Sequence, residues 1–257
     1  MDLYNETYKH KFPIDHIRTI AESESGSEIK QIIRPKFGLD SLLGLFASSF
    51  AAPLYLYASL KGKFQVWDEI LQNIPDSTFK GPSLDVGCGR GMVLLKIAQR
   101  KKLIAGSDHI SSTEIRPAYG IDIFRTEDQT GNSPIATYQN AAAMDVINNV
   151  VLHTLSFTER LPFIDGAFQL ITSNLALHNA NREGRITAIE EMARVCAHGG
   201  RIVIVDLYGS FNDYDAVLKR LGWDGVRVST IGIKMLFGIW PCQMLIAMKS
   251  ESWSYFY

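Results

Sequence analysis

The sequence predicts an α/β fold: a mainly parallel sheet of seven strands, helices on both faces, and a terminal antiparallel hairpin. Three observations carry this. Short apolar runs alternate with helix-period segments from residue 83 to residue 221, and such alternation builds parallel sheets. Three glycines at alternate positions join the first strand to the first helix of that series. The last two apolar runs have no helical pattern between them, so they form an antiparallel pair.

The elements follow in order. Residues 64–73, FQVWDEILQN, place Phe64, Val66, Trp67, Ile70 and Leu71 on one face of an amphipathic helix. Residues 83–86 form a buried strand, and 92–100 form a helix directly after the glycine turn. Strands are expected at 118–123, 150–154, 168–173 and 201–206, with helices at 133–144, 185–195 and 214–221. Strands around 226–233 and 244–249 close the chain.

Of the 257 residues, 26 are Lys or Arg and 27 are Asp or Glu, giving a net charge of -1. That balance argues against a dedicated nucleic-acid binder, which draws much of its affinity from neutralising phosphates. Cys88, Cys196 and Cys242 are odd in number and widely spaced, forming neither a disulfide framework nor a zinc pattern. No secretory signal opens the chain, so a reducing, cytoplasmic setting is expected. Residues 1–60 are expected to form an N-terminal arm and apolar segment, and 61–257 the main domain. Residues 41–60 carry no charge, but serines and Pro53 interrupt them. Two readings stand: helices that cover a pocket, or a segment in peripheral contact with a membrane.

The sharpest signal is Asp85-Val86-Gly87-Cys88-Gly89-Arg90-Gly91. Glycine permits tight turns and close ligand approach. The spacing differs from the Gly-x-Gly-x-x-Gly turn that binds a pyrophosphate. An acid on the strand before it suits a ligand with a cationic amino group better than one with phosphates. A second acid, at the end of the next strand, would accept from both hydroxyls of a ribose. Asp122, in Tyr119-Gly120-Ile121-Asp122-Ile123, is preferred over Asp108, which is expected to be a loop acid or helix cap. Cys88 is expected to be a small turn residue.

The stretches LDVGCGRG, GIDIF, LPFIDGAF and ARVCAHGGRIVIVDL resemble the class I S-adenosylmethionine-dependent methyltransferases, over roughly residues 61–249. LKGKFQVWDEIL, DQTGNSPIATYQNA and LALHNANREGR look like a narrower group in which apolar N-terminal helices precede the catalytic domain. The resemblance implies a Rossmann-like fold, S-adenosyl-L-methionine as cofactor and S-adenosyl-L-homocysteine as product. It puts the methionyl part over Asp85, Gly87, Cys88 and Gly89, and Gly91 is counted with them as a cofactor-binding residue. It makes Asp122 the ribose acid, packs Ile123 on the adenine, and sets Ser156, Phe157 and Thr158 at the adenine amino group. Phe157 departs from the family's usual polar residue there. Asn174 falls near the reactive sulfur.

Methyl transfer to a hydroxyl or ammonium also requires removal of a proton. His178 follows the strand that carries Asn174, and a neutral histidine suits that work. Two readings stand: a general base, or an imidazole that only hydrogen-bonds its loop and positions Asn179. Arg182, Asp206 and Tyr208 are candidates for substrate contact. The other histidines show no ligand spacing, so no metal is expected. The resulting expectation is methyl transfer to a small metabolite, at a hydroxyl or carboxylate oxygen. The rivals are nitrogen, sulfur or lipid acceptors at a membrane, a catalytically silent cofactor-binding protein, and a nicotinamide oxidoreductase.

Overall fold

Strands β1 (Ser83–Val86), β2 (Ala118–Asp122), β3 (Val150–Thr154), β4 (Phe168–Asn174) and β5 (Cys196–Leu207) are mutually parallel in the computed structural model. β6 (Arg227–Thr230) and β8 (Trp240–Met248) complete the sheet in the order β3-β2-β1-β4-β5-β8-β6. The structure describes residues 3–4, 34–37, 57–107, 115–127, 129, 131–223, 225–237 and 240–250. The seven expected strands are therefore present, with β8 antiparallel to both β5 and β6. An eighth strand, β7 (Leu236–Phe237), is too short to carry a readable pattern and pairs with β8 alone.

The helices are α1 (Lys63–Gln72), α2 (Asp76–Lys80), α3 (Met92–Ser107), α4 (Pro134–Ala143), α5 (Arg182–Val195) and α6 (Phe211–Arg220). α4 begins where the sequence signals it. The Ser133 hydroxyl accepts from Ala136 N at 3.1 Å, and Pro134 needs no helical donor at that position. α5 starts earlier than expected, because Asn181 caps it through Gly184 N at 2.8 Å. β5 also starts earlier, at Cys196. A register shift between Phe168 and Leu170, with Gly199 at φ 71°, absorbs the AHGG stretch. α3 runs past its expected end. Its buried Lys101 donates to the carbonyls of Phe79 and Gly81 at 2.7 and 2.5 Å. Burial pushes that ammonium down to about 7.

Strand alternation assigns side chains to two apolar layers. Leu84, Val86, Ile202 and Ile204 join one layer with Ile189, Met192, Tyr214 and Leu218 of α5 and α6. Val203 and Val205 join the other with Trp67, Ile70, Leu94 and Ile97 of α1 and α3. Asp85, between Leu84 and Val86, faces this second layer.

The described pieces of the N-terminal arm are docked. Tyr4 bridges Phe163 in antiparallel fashion, and its hydroxyl lies 2.8 Å from Nε2 of buried His153. Burial pushes that imidazole down to about 4. Lys36 exchanges two backbone hydrogen bonds with the Asn140 amide, at 2.7 and 2.9 Å. Among the described residues no helix is long and apolar enough to cross a membrane. Residues 41–56 of the uncharged run lie outside the described residues, as do Asp108 and the rest of the insertion at 108–114.

Candidate active site

A cavity of about 310 Å³ opens at the carboxyl ends of β1, β2 and β4. There the sheet order reverses, β1 lying between β2 and β4. Open α/β sheets bind ligands at such a switch point.

The glycine turn forms its floor. Gly87 and Gly89 have φ of 69° and 50°, which disfavour a side chain. A Cβ at Gly87 would come within 2.2 Å of the Ala176 Cβ. Gly91, at φ 86°, does not line the cavity. It packs against Thr137 and Leu95 and starts α3, so its place in the pattern is conformational.

Every amide of the turn is already satisfied within the protein. Gly87 N and Cys88 N donate to Ile121 O at 2.8 and 3.0 Å, and Gly91 N donates to Cys88 O at 2.8 Å. Gly89 N donates to Asp122 Oδ2 at 2.8 Å, and Arg90 N to Gln129 Oε1 at 3.1 Å.

Two carboxylates face this floor. Asp85 is only 2% exposed. It accepts from the Thr172 hydroxyl at 2.7 Å and from Leu94 N at 3.1 Å. Burial pushes it up to about 7, against the pull of those two bonds. Its charged form is therefore short of compensation, and a cation in the cavity would be drawn to it. Asp122 ends β2; besides Gly89, it accepts from Phe124 N at 2.6 Å and Asn132 Nδ2 at 3.4 Å. Burial first, and then the charges of Asp122 and Asp85, hold the Cys88 thiol well above the usual range.

Ile123, Ser156, Phe157, Thr158, Asn174, His178 and Asn179 line the same cavity. The Ser156 and Thr158 hydroxyls lie 2.8 Å apart. His178 sits on a short 3-10 turn beyond β4. Its Nδ1 lies 2.6 Å from Asp206 Oδ1, and its backbone N donates to Asp206 Oδ2 at 3.0 Å. Asp206 is wholly buried and outside the cavity wall, so it holds His178 from behind rather than meeting a ligand. Arg182 also lies outside the wall, its guanidinium paired with Asp213 at 2.7 and 2.9 Å. Tyr208 is 65% exposed and likewise outside the wall. Among the described residues no cluster of three metal-ligating side chains occurs.

The sequence reading did not single out Phe37, Lys63 or Phe237, which line the cavity, but it offered DQTGN, residues 128–132, as a loop over the cofactor or an ordinary turn, and Gln129 and Asn132 of that segment line the cavity. Gln129 belongs to the DQTGN turn: it covers Gly89 and donates from Nε2 to Phe37 O at 2.9 Å. The helix period could have found Lys63, four residues before Trp67 and hence on the same face.

Residues 84–204 match the family model for a methyltransferase domain. Among solved structures, the magnesium protoporphyrin IX methyltransferase of Synechocystis PCC 6803 is 16% identical with a TM-score of 0.55, over 92% of this chain and 97% of that one. A geranyl diphosphate methyltransferase is 14% identical with a TM-score of 0.55, over 84% and 98%. The cyclase SpnF is 14% identical with a TM-score of 0.53, over 85% and 99%. No curated protein matches the chain significantly.

Proposed function

We propose that the chain, whose residues 84–204 match a methyltransferase-domain model, is a class I S-adenosylmethionine-dependent methyltransferase and that it methylates an oxygen atom of a small organic acceptor held against His178. The observation that carries this reading is the His178–Asp206 pair, 2.6 Å apart, on the wall of the cavity that Gly87, Asp85 and Asp122 also line.

The residues fit the cofactor. Gly87 and Gly89 leave their inner face clear of Cβ atoms, and two carboxylates await a cationic nucleoside derivative. The same turn is poorly suited to a dinucleotide: its amides are spent on protein oxygens, and Asp85 and Asp122 would repel a pyrophosphate. Asp122 would hold the ribose, Ile123 and Phe157 would pack on the adenine, and Asp85 would lie towards the amino group. When bound, S-adenosylmethionine supplies a methyl group already activated on a sulfonium.

The chain's own work is positioning, exclusion of water and proton removal. Asp206 can only accept, so the His178 proton sits on Nδ1 and Nε2 carries the basic lone pair. Nε2 takes the hydroxyl proton as the oxygen forms its new bond, and releases it to solvent afterwards. Phe37, tied to Gln129 and packed 5.5 Å from the Phe64 ring, closes one side of the cavity. Phe37 then acts as part of a cover over the cavity. The fold of the protoporphyrin and geranyl diphosphate methyltransferases supports a small acceptor.

The test is methyl transfer from labelled S-adenosylmethionine to a panel of small alcohols, phenols, carboxylates, amines and thiols. Label is expected on oxygen. Transfer confined to nitrogen or sulfur, or S-adenosylhomocysteine binding with no turnover on any acceptor, would overturn the reading.

A further inference from the structure

We propose that Phe237 is the specificity-determining residue at the acceptor end of the cavity, and that the acceptor it selects is a phenol. The inference rests on the reading of His178 as the base of an oxygen methyltransferase.

Phe37 and Phe237 both line the cavity, and their partners place them differently. Phe37 is tied to Gln129 above Gly89, on the donor side. Phe237 packs against the base itself. Its ring centre lies 5.1 Å from that of His178, with 60° between the two planes. β7 sets it there. Met235, just before this strand, is buried in the layer that holds Trp67, and alternation along an extended chain turns Phe237 to the same side. Pairing of Phe237 with Trp240 of β8 fixes the strand. Asp206 holds Nδ1 of His178 from behind, so the imidazole and the half-buried phenyl ring make a fixed corner of two aromatic surfaces.

The wall beside that corner is uncharged. Asn179, Ala180 and Asn181 continue it from His178, whereas Asp85, Asp122 and Arg125 line the cavity from β1, β2 and the chain after β2. A flat apolar ring fits such a corner, since offset and edge-to-face ring pairs add to simple burial. Proton chemistry selects the same class. Free imidazolium releases its proton near pH 6.5 and a phenol near about 10, whereas an alkyl hydroxyl holds its proton about as tightly as water does, at roughly 15.7. An imidazole therefore takes a share of a phenolic proton far more readily. As the phenolic oxygen bonds to the methyl carbon, the carbon–sulfur bond breaks and leaves its electron pair on sulfur. The O–H proton passes to Nε2 of His178. The products are an aryl methyl ether, S-adenosylhomocysteine and a proton released to solvent.

The experiment pairs phenols with their saturated counterparts: phenol with cyclohexanol, and 2-naphthol with decahydro-2-naphthol. Initial rates are measured for the full chain and its Phe237→Leu and Phe237→Tyr variants. Calorimetry follows the binding of 2-naphthol to the S-adenosylhomocysteine complex of each. The unaltered chain is expected to methylate the phenols with a kcat/KM about 100-fold or more above the saturated alcohols. Phe237→Leu keeps apolar bulk and removes the ring. It should raise KM for the phenols and weaken 2-naphthol binding about three- to tenfold, with S-adenosylhomocysteine affinity held within about twofold. Phe237→Tyr keeps the ring and should retain most of the affinity. Equal effects of Phe237→Leu on phenols and saturated alcohols would make the residue structural and overturn the proposal. Saturated alcohols used as well as phenols, or label on oxygen with neither phenol accepted, would overturn it while leaving oxygen transfer standing. Transfer confined to nitrogen or sulfur, or to no acceptor at all, would bring down the base reading and this proposal with it. If Phe237→Leu does not fold, the phenol-to-alcohol ratio of the unaltered chain decides.

Discussion

Asp122→Ala is expected to weaken S-adenosylhomocysteine binding by about 100-fold or more, since each hydrogen bond to a charged group is worth roughly 1.5–3 kcal/mol and a ribose makes two. The carboxylate stands at the carboxyl end of β2, where its oxygens already accept from Gly89 N, Phe124 N and Asn132 Nδ2. A carboxylate offers about four lone-pair sites, so receiving both hydroxyls requires that the long 3.4 Å contact from Asn132 be given up. Removing it also frees Gly89, whose left-handed backbone shapes the floor of the cavity. Asp122→Asn keeps the shape and one acceptor, and should fall between the two. Calorimetry on folded protein checks the series. Unchanged affinity in Asp122→Ala would return the ribose role to Asp108.

His178→Ala is expected to lower kcat for a hydroxyl acceptor by about 10²–10⁴-fold while leaving S-adenosylhomocysteine affinity nearly intact, the usual contribution of general-base catalysis. Asp206 acts through His178, so Asp206→Asn should lower kcat by less. The double variant should then be no slower than His178→Ala alone, because two residues that work as one unit are not additive. This substitution is preferred to alanine because Asp206 also receives the backbone amides of His178 and Leu207 at 3.0 and 2.8 Å. Initial rates at saturating donor, together with the pH–rate profile, provide the readout. Full activity in His178→Ala would remove it as a base and favour a carboxylate acceptor, which has no proton to lose.

Much of the fold was legible because burial on both faces leaves apolar runs such as Ser83–Val86 and Val150–Thr154 with sharp ends. Boundaries slipped where local chemistry overrode the pattern: at the Asn181 cap, at the bulge that lets β5 begin at Cys196, and along α3, which continues through Lys101. The floor of the cavity was legible too, since three glycines and two acids lie in short stretches beside strand ends. Its roof was not. Phe37 and Phe237 reach the cavity from segments far apart in sequence, and no spacing rule links them; of the lining residues missed, Lys63 alone lay within reach of the helix period. Asp206 illustrates the same limit. Its position after β5 marked it for the site, but only the three-dimensional packing turns it to the back of His178 rather than towards a ligand.

The most direct measurement is a crystal structure of the full chain grown with S-adenosylhomocysteine. The account predicts the nucleoside against the Gly87–Gly89 floor, with both sugar hydroxyls on Asp122 and the thioether sulfur on the side of the cavity that His178 lines. Density for the ligand at another place on the molecule, or a floor closed over with Asp122 turned away, would contradict it.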